Sequence, residues 1–305
     1  MPAPTLAPRR LLLLAAFAAV YLVWGSTYLA VKYAIATLPP LLMAGARFLL
    51  AGLVMSAIGR ASGEYEKPTG AQWRTSFIVG ALLLVGGNGG VVLAERYIPS
   101  SLAALLVAVE PFWIVLLSWL WLRQPRPGGR VLLGLLLGFG GVYLLVGEQL
   151  GAGSGPQLLL SAGAVIGAAF CWAAGSLYGL RAPSPRSAAQ AAGMQMLAGD
   201  LLLLLLGLLI GEGRGLHLGQ VSRASWLGFG YLVVFGSLVA FTAYSWLMKN
   251  APAARVATYA YVNPVVAVLL GWVMLGEALT AQMLVGAVIV VGSVVLITTP
   301  AKKVG

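Results

Sequence analysis

Glu110 stands deep in apolar sequence, about ten residues into the run 100–121, and is followed by Pro111. At 1.5 Å per residue that is about 15 Å from the start of the run. A charge at that depth in lipid is costly, so it must face protein or water, and it marks a functional site by default. Pro111 donates no backbone hydrogen bond and frees a carbonyl one turn earlier, which invites a kink. Asn263-Pro264 occupies the matching place in the run 253–274. The two positions read as a central pair, with Glu110 binding a substrate amine or carrying a proton. The alternative is a Glu bonded to a neighbouring helix purely for packing. Asp200, about midway along 187–210 beside Leu201–Leu206, is a second deep acid and a candidate for coupling or gating.

Helical spacing adds two polar stripes. Trp24, Tyr28 and Lys32 follow one another at four-residue intervals, as do Arg255, Tyr259 and Asn263, so each set shares a helix face. Asn88 with Glu95, and Ser237 with Tyr244, add polar groups from two further runs. Aromatic and hydroxyl groups around a cavity would orient an amphiphilic metabolite. An interfacial aromatic belt is the competing reading, and it suits Trp119, Trp121 and Trp226 near run ends. Lys32, Arg47 and Glu95 lie towards one end of their runs and suggest a salt-bridged gate. Snorkelling to the headgroups competes for Lys32, whereas the deeper Arg47 is expected to be paired within the protein.

Other chemistries are removed by counting. One cysteine, Cys171, and one histidine, His217, leave no disulfide framework and no His/Cys metal centre. The 40 glycines often recur as small-xxx-small, as in Gly86/Gly90, Gly134/Gly138 and Gly163/Gly167, a spacing that lets helices approach closely. No strand precedes them and no Gly-Lys-Ser/Thr follows, so they do not signal nucleotide binding, and no cofactor is implied. Without an ATP site, any process these residues carry out must run downhill or on an ion gradient. Proton coupling through Glu110 or Asp200 is the hypothesis that follows.

The elements that must hold these residues are membrane helices. Of 305 residues, 60% are hydrophobic and 9% charged, and mean hydropathy is +0.93. Soluble domains carry about 25% charged residues, so lipid must be the solvent here. The net charge of +11 does not indicate nucleic-acid binding, because the basic residues are scattered through short loops rather than clustered with aromatics. Arg9-Arg10 followed by Leu11–Ala19 resembles a signal peptide, yet the apolar run continues through Trp24 to Val31, too long for a cleavable leader. It reads as the first span. Nine more follow at about 41–59, 75–95, 100–121, 129–147, 157–179, 187–210, 225–248, 253–274 and 280–299. Between them stand breaks such as Pro39-Pro40, Pro99, Pro183-Ser-Pro185 and Pro252. With the N-terminus inside, the inner segments hold 14 Lys and Arg residues and the outer ones three: Arg96, Arg214 and Arg223. Cationic loops are retained in the cytoplasm, so both termini are expected there.

An internal repeat organises the ten spans. Arg96, Pro99, Ala104 and Glu110-Pro111 recur as Lys249, Pro252, Ala257 and Asn263-Pro264, each 153 residues later. Gly134 and Gly140 recur as Gly286 and Gly292 after 152. Trp24-Gly-Ser-Thr-Tyr28 is echoed more loosely by Trp172-Ala-Ala-Gly-Ser-Leu-Tyr178. Five spans per unit means that the second copy enters the membrane from the opposite side. The expected domains are 1–148 and 156–300. Inverted repeats belong to alternating-access transporters, whose substrate site lies near the midplane between the halves.

The sequence resembles the EamA family of the drug/metabolite transporter superfamily over essentially its whole length. The resemblance rests on Trp24-Gly-Ser-Thr-Tyr28, on Pro40-Leu-Leu-Met-Ala-Gly-Ala-Arg47-Phe48, on Tyr259-Ala-Tyr261-Val-Asn263-Pro264 through Gly271, and on Gly276-Glu277-Ala-Leu-Thr280. Gln124 stands where the second repeat has Glu277, so that acid is not a symmetric requirement. The resemblance implies an all-α protein of ten transmembrane helices in two inverted five-helix repeats, in a bacterial inner membrane, moving small metabolites outward, often amino acids. The expected cavity lining is Glu110, Asn263, Trp24, Tyr28, Asn88, Tyr178, Tyr244 and Tyr259. Tyr178 and the lining from the eighth span rest on the repeat and the resemblance. Export of hydrophobic or cationic drugs, or of lipid-like compounds, is the alternative within transport. A membrane-embedded enzyme is disfavoured, because the chain offers no Ser/His/Asp set and no paired carboxylates.

Overall fold

A computed structural model describes residues 6–98, 100–146, 156–275 and 280–298. Pro99, Glu277, the connection between the halves and the C-terminal lysines lie outside the described residues. The helices are α1 (Leu6–Ala34), α2 (Pro40–Ala61), α3 (Gly70–Ala94), α4 (Ser100–Val107 and Glu110–Leu120) and α5 (Gly129–Val146) in the first half. The second half supplies α6 (Pro156–Arg181), α7 (Ala188–Leu209), α8 (Arg223–Asn250), α9 (Ala253–Val256 and Tyr259–Leu275) and α10 (Ala281–Thr298). Among the described residues nine helices are long and apolar enough to cross a membrane, and α5 contributes a shorter apolar stretch, Gly129–Leu144. Large aliphatic side chains face outward on several helices. Leu136 is 73% exposed, Leu159 74% and Leu209 83%, a surface that suits hydrocarbon and not water.

The two-fold relation is visible in the packing. α2 runs along α7 and α5 along α10, each helix against its own repeat mate. The other contacts come in matched pairs: α1 with α9 and α6 with α4, then α3 with α6 and α8 with α1. Seven-residue spacing of Gly45, Gly52 and Gly59 on α2 makes the first of these seams. A Cβ at Gly59 would lie 2.9 Å from the Gln190 amide nitrogen, and one at Gly193 would lie 2.9 Å from that of Ser56. Of the three glycine pairs expected to approach neighbours, Gly86/Gly90 meet Cys171 and Ala168, and Gly134/Gly138 meet Ile297 and Tyr261. Gly163 and Gly167 face open space. Small-xxx-small spacing guarantees a smooth strip, and only the neighbour's position decides whether anything packs on it.

Four interruptions of helical regularity fall on matched helices, the π turns nearly in register and the two breaks about one turn apart. α3 widens into π-helical turns over Ala81–Gly89, and α8 does the same over Leu232–Phe241. α4 breaks at Ala108-Val109, where the Pro111 ring cannot sit against the carbonyl four residues back. α9 breaks at Ala257-Thr258, and the Thr258 hydroxyl satisfies the freed Arg255 carbonyl at 2.6 Å.

Each repeat also pins a helix start of the other. Pro39 gives α2 no side-chain cap, and the Glu212 carboxylate, beyond α7, accepts from the amides of Leu41 (2.9 Å) and Leu42 (3.0 Å). At the other membrane face the Gln190 side chain on α7 donates to the Glu66 carbonyl at 2.7 Å and accepts from its amide at 3.2 Å. Glu212→Ala removes the acceptor from two helix-start amides, at a cost of about 1–2 kcal/mol. Thermal unfolding in detergent should show a melting temperature a few degrees lower, with solute efflux at the wild-type rate.

Candidate functional site

The breaks and π turns converge on one cavity of about 100 Å³ between α1, α2, α3, α4, α6, α8 and α9. It extends from Trp24 to Val31 along α1, about 10 Å at 1.5 Å per residue. Its closed end is an aromatic layer. The Trp24 ring meets those of Trp172 at 5.4 Å, Tyr244 at 4.9 Å and Tyr259 at 4.8 Å between centroids. Trp24 Nε1 donates to the Gly236 carbonyl at 3.2 Å, within the π-helical stretch of α8. The Tyr244 hydroxyl takes a hydrogen bond from Trp172 Nε1 at 3.0 Å and shares another with Ser176 Oγ at 2.6 Å. Beyond this layer Ser176 and Tyr244 line a second cavity of about 50 Å³, which reaches Ser184 and Lys249 near the far ends of α6 and α8.

Glu110 and Asn263 both line the larger cavity, and both are buried. The Tyr259 hydroxyl donates to Glu110 Oε2. Glu110 Oε1 and Asn263 Oδ1 have no hydrogen-bond partner. The same holds for Asn88 Oδ1, for both oxygens of Glu95 and for Arg47 Nε, all on the same cavity. A buried polar group without a partner costs about 1–3 kcal/mol. Such groups are rare in native folds, and a cluster of them around one space demands an explanation.

The structure separates the sequence-predicted residues into three groups. Trp24, Tyr28, Asn88, Glu110, Tyr259 and Asn263 line the cavity, as do Arg47 and Glu95. Tyr244 stands behind them in the aromatic layer. Asp200 and Tyr178 are elsewhere: neither lines this cavity or the smaller one. Asp200 sits on α7 one residue from Gly199, which packs on Leu84 of α3.

The salt-bridged gate does not form. Lys32 Nζ donates to the backbone carbonyls of Glu95 (2.6 Å) and Ile98 (3.1 Å), closing the C-terminal end of α3 as a cationic cap. Arg47 has no ion-pair partner among the described residues. Its guanidinium lies over the Phe48 ring, 4.3 Å from the centroid. The expected pairing fails because Glu95 and Glu110, the acids of this cavity, are carried by α3 and α4 at other points of its wall.

Residues missed in the sequence are Trp172, Ser176, Phe48 and Phe241. The signal for the first two was present: Trp172 and Ser176 repeat the four-residue spacing of Trp24 and Tyr28. The looser echo of that motif ends instead at Tyr178, two residues further round the helix. Arg255 does not reach the cavity, because the break at Ala257-Thr258 ends the face it would share with Tyr259.

The model of the EamA-like transporter family matches residues 10–147 and again residues 159–299. The chain is 36% identical over 299 residues to "Uncharacterized inner membrane transporter YedA" of Escherichia coli (strain K12), covering 96% of this chain and 94% of that protein. It is 27% identical over 279 residues to "Probable amino-acid metabolite efflux pump" of Salmonella typhimurium, covering 89% of each. A solved crystal structure shares the fold with a TM-score of 0.76 over 95% of this chain and 96% of that one, at 24% identity.

Proposed function

The chain belongs to the EamA-like transporter family and is a multi-pass membrane transporter, not an enzyme; from that premise we propose that it exports a small polar metabolite, an amino acid or a close relative, across the inner membrane by alternating access. The observation that carries the reading is the set of buried, unpartnered polar atoms around a single cavity: Glu110, Asn263, Asn88, Glu95 and Arg47. In a chain this apolar, such groups are retained for a polar ligand that completes them in turn. The aromatic layer supports the alternating part. It stands between the larger cavity, which leads towards the end of α3, and the smaller one, which leads towards the end of α8. Parting the Tyr244–Ser176–Trp172 hydrogen bonds would join the site to the second side while the first closes.

Orientation comes from the loop charges. With both termini cytoplasmic, Glu95 lies at the outer face and Lys249 at the inner one. The efflux name of a relative supports outward movement. No ATP is used, and Glu110 is the candidate to exchange a substrate amine for a proton.

The test is efflux from proteoliposomes preloaded with a panel of amino acids or, separately, cationic dyes, with and without a pH gradient. Saturable amino-acid efflux is expected, faster with a pH gradient imposed. Movement of dyes alone would instead favour the drug-export reading, since Trp24, Trp172 and Tyr259 offer π faces to a cation. Rates indifferent to the gradient would remove proton coupling.

A further inference from the structure

Among the described residues the cavity contains a cation without a counter-ion. Arg47 is 5% exposed, and its Nε is buried with no hydrogen-bond partner. No carboxylate among the described residues lies within ion-pair distance of it. A guanidinium stays charged in proteins, and burying a charge unpaired is among the most expensive choices a fold can make. The Phe48 ring lies against the group, with its centroid 4.3 Å from Arg47 Cζ. Phe48 is itself 1% exposed and packs on Phe241 at 6.4 Å, so the ring is a fixed platform. A ring contact uses none of the N–H groups of the guanidinium, so its fork of donors remains available. Arg47 lines the same cavity as Glu110, Glu95, Asn88 and Asn263.

We propose that Arg47 is the anion anchor of the transport site: its guanidinium edge binds the carboxylate of the transported solute, and so selects solutes that carry one. The inference rests on the metabolite-transport reading and assigns one end of its substrate. A planar carboxylate fits the guanidinium fork with two parallel hydrogen bonds. One guanidinium balances a carboxylate and leaves a phosphate dianion with a charge uncompensated. The glutamates on the cavity suit the other end of a zwitterion, whose ammonium would meet Glu110. A solute neutral overall but charged at both ends thus satisfies groups that the protein alone leaves open.

The experiment is calorimetric titration of the full chain in lipid nanodiscs with L-phenylalanine, L-phenylalaninamide and phenethylamine, then with L-threonine and its amide. In the wild type, at least one acid should bind at least ten-fold more tightly than its amide. Arg47→Met, which keeps an unbranched apolar stem and loses the charge, should bring the acid down to the level of the amide and leave the amide unchanged. Its melting temperature should equal or exceed the wild type, because the substitution removes an unpaired buried charge. Arg47→Lys keeps the charge without the fork and should give an intermediate acid-to-amide ratio. A ratio untouched by Arg47→Met overturns the anchor while leaving metabolite transport standing. A lower melting temperature or failure to fold overturns it too, since the guanidinium would then be part of the scaffold. If neither acid binds and phenethylamine does, the metabolite reading falls and the anchor with it.

Discussion

Glu110→Gln should lower solute efflux about 10- to 100-fold, with the protein still folded. The range is that of one charge-assisted hydrogen bond, about 1.5–3 kcal/mol. The side chain it replaces is buried at the junction of the two repeats, where α4 breaks before Pro111. Tyr259 donates to Oε2, and a glutamine carbonyl can accept the same bond, so the local structure should persist. What disappears is the ionisable carboxylate, whose Oε1 has no partner among the described residues. Tyr259→Phe acts differently. It leaves both carboxylate oxygens without a donor and should reduce efflux less, by about ten-fold or under. The double variant should be hardly worse than Glu110→Gln alone, since the hydroxyl works through the carboxylate. Proteoliposome efflux normalised to folded protein checks all three. Wild-type efflux by Glu110→Gln would return that residue to a packing role.

Gly193→Leu should prevent folding or leave an aggregated product, whereas Gly163→Leu should be tolerated. Both positions lie in apolar helices of the second repeat, and composition does not distinguish them. At Gly193 a Cβ would meet the Ser56 amide nitrogen at 2.9 Å and the Gly52 carbonyl at 3.2 Å. These are backbone atoms of α2 and cannot swing aside as a side chain would. Accommodating a leucine means prising α2 from α7, the seam on which the two repeats meet. Overpacking of a tight core costs about 1–3 kcal/mol even where side chains can give way. At Gly163 nothing lies within 4 Å of the added carbon, and a leucine there meets lipid. Size-exclusion profiles and melting temperatures of the two variants give the comparison. Equal behaviour would mean that the α2–α7 seam is looser than the backbone distances require.

Reading the sequence alone, the deep acid and amide were legible because lipid makes them so. A carboxylate in the middle of an apolar run has few tolerable places, and the repeat located Asn263 as its mate. The span count and the inverted halves were legible for the same reason: one helix needs about 20 apolar residues, and five per half reverse the second copy. The π turns of α3 and α8 left no such mark, beyond the glycines around Asn88. Nor did the break of α9, nearly two turns before Pro264, which detached Arg255 from its stripe.

Azimuth is what the sequence withheld. In a soluble helix a polar face and an apolar face declare which way the core lies. Here lipid and protein interior are equally apolar, so a helix such as α7, with leucines all round, says nothing about where Asp200 points. The four-residue rule places Trp24 beside Tyr28 on α1, and Trp172 beside Ser176 on α6, yet it cannot say that Trp24 and Trp172 meet. That contact depends on how each helix is rotated against its neighbours. Rotation is set by close-packing of small residues, as along Gly45, Gly52 and Gly59 against α7. The sequence by itself determined the membrane class, the two repeats and the depth of Glu110 and Asn263, because each follows from the cost of polar groups in lipid. Tertiary structure alone decided that Arg47 shares their cavity unpaired, that Lys32 caps α3 and that Asp200 stands apart, because these are relations between helices, and hydropathy fixes no angle between them.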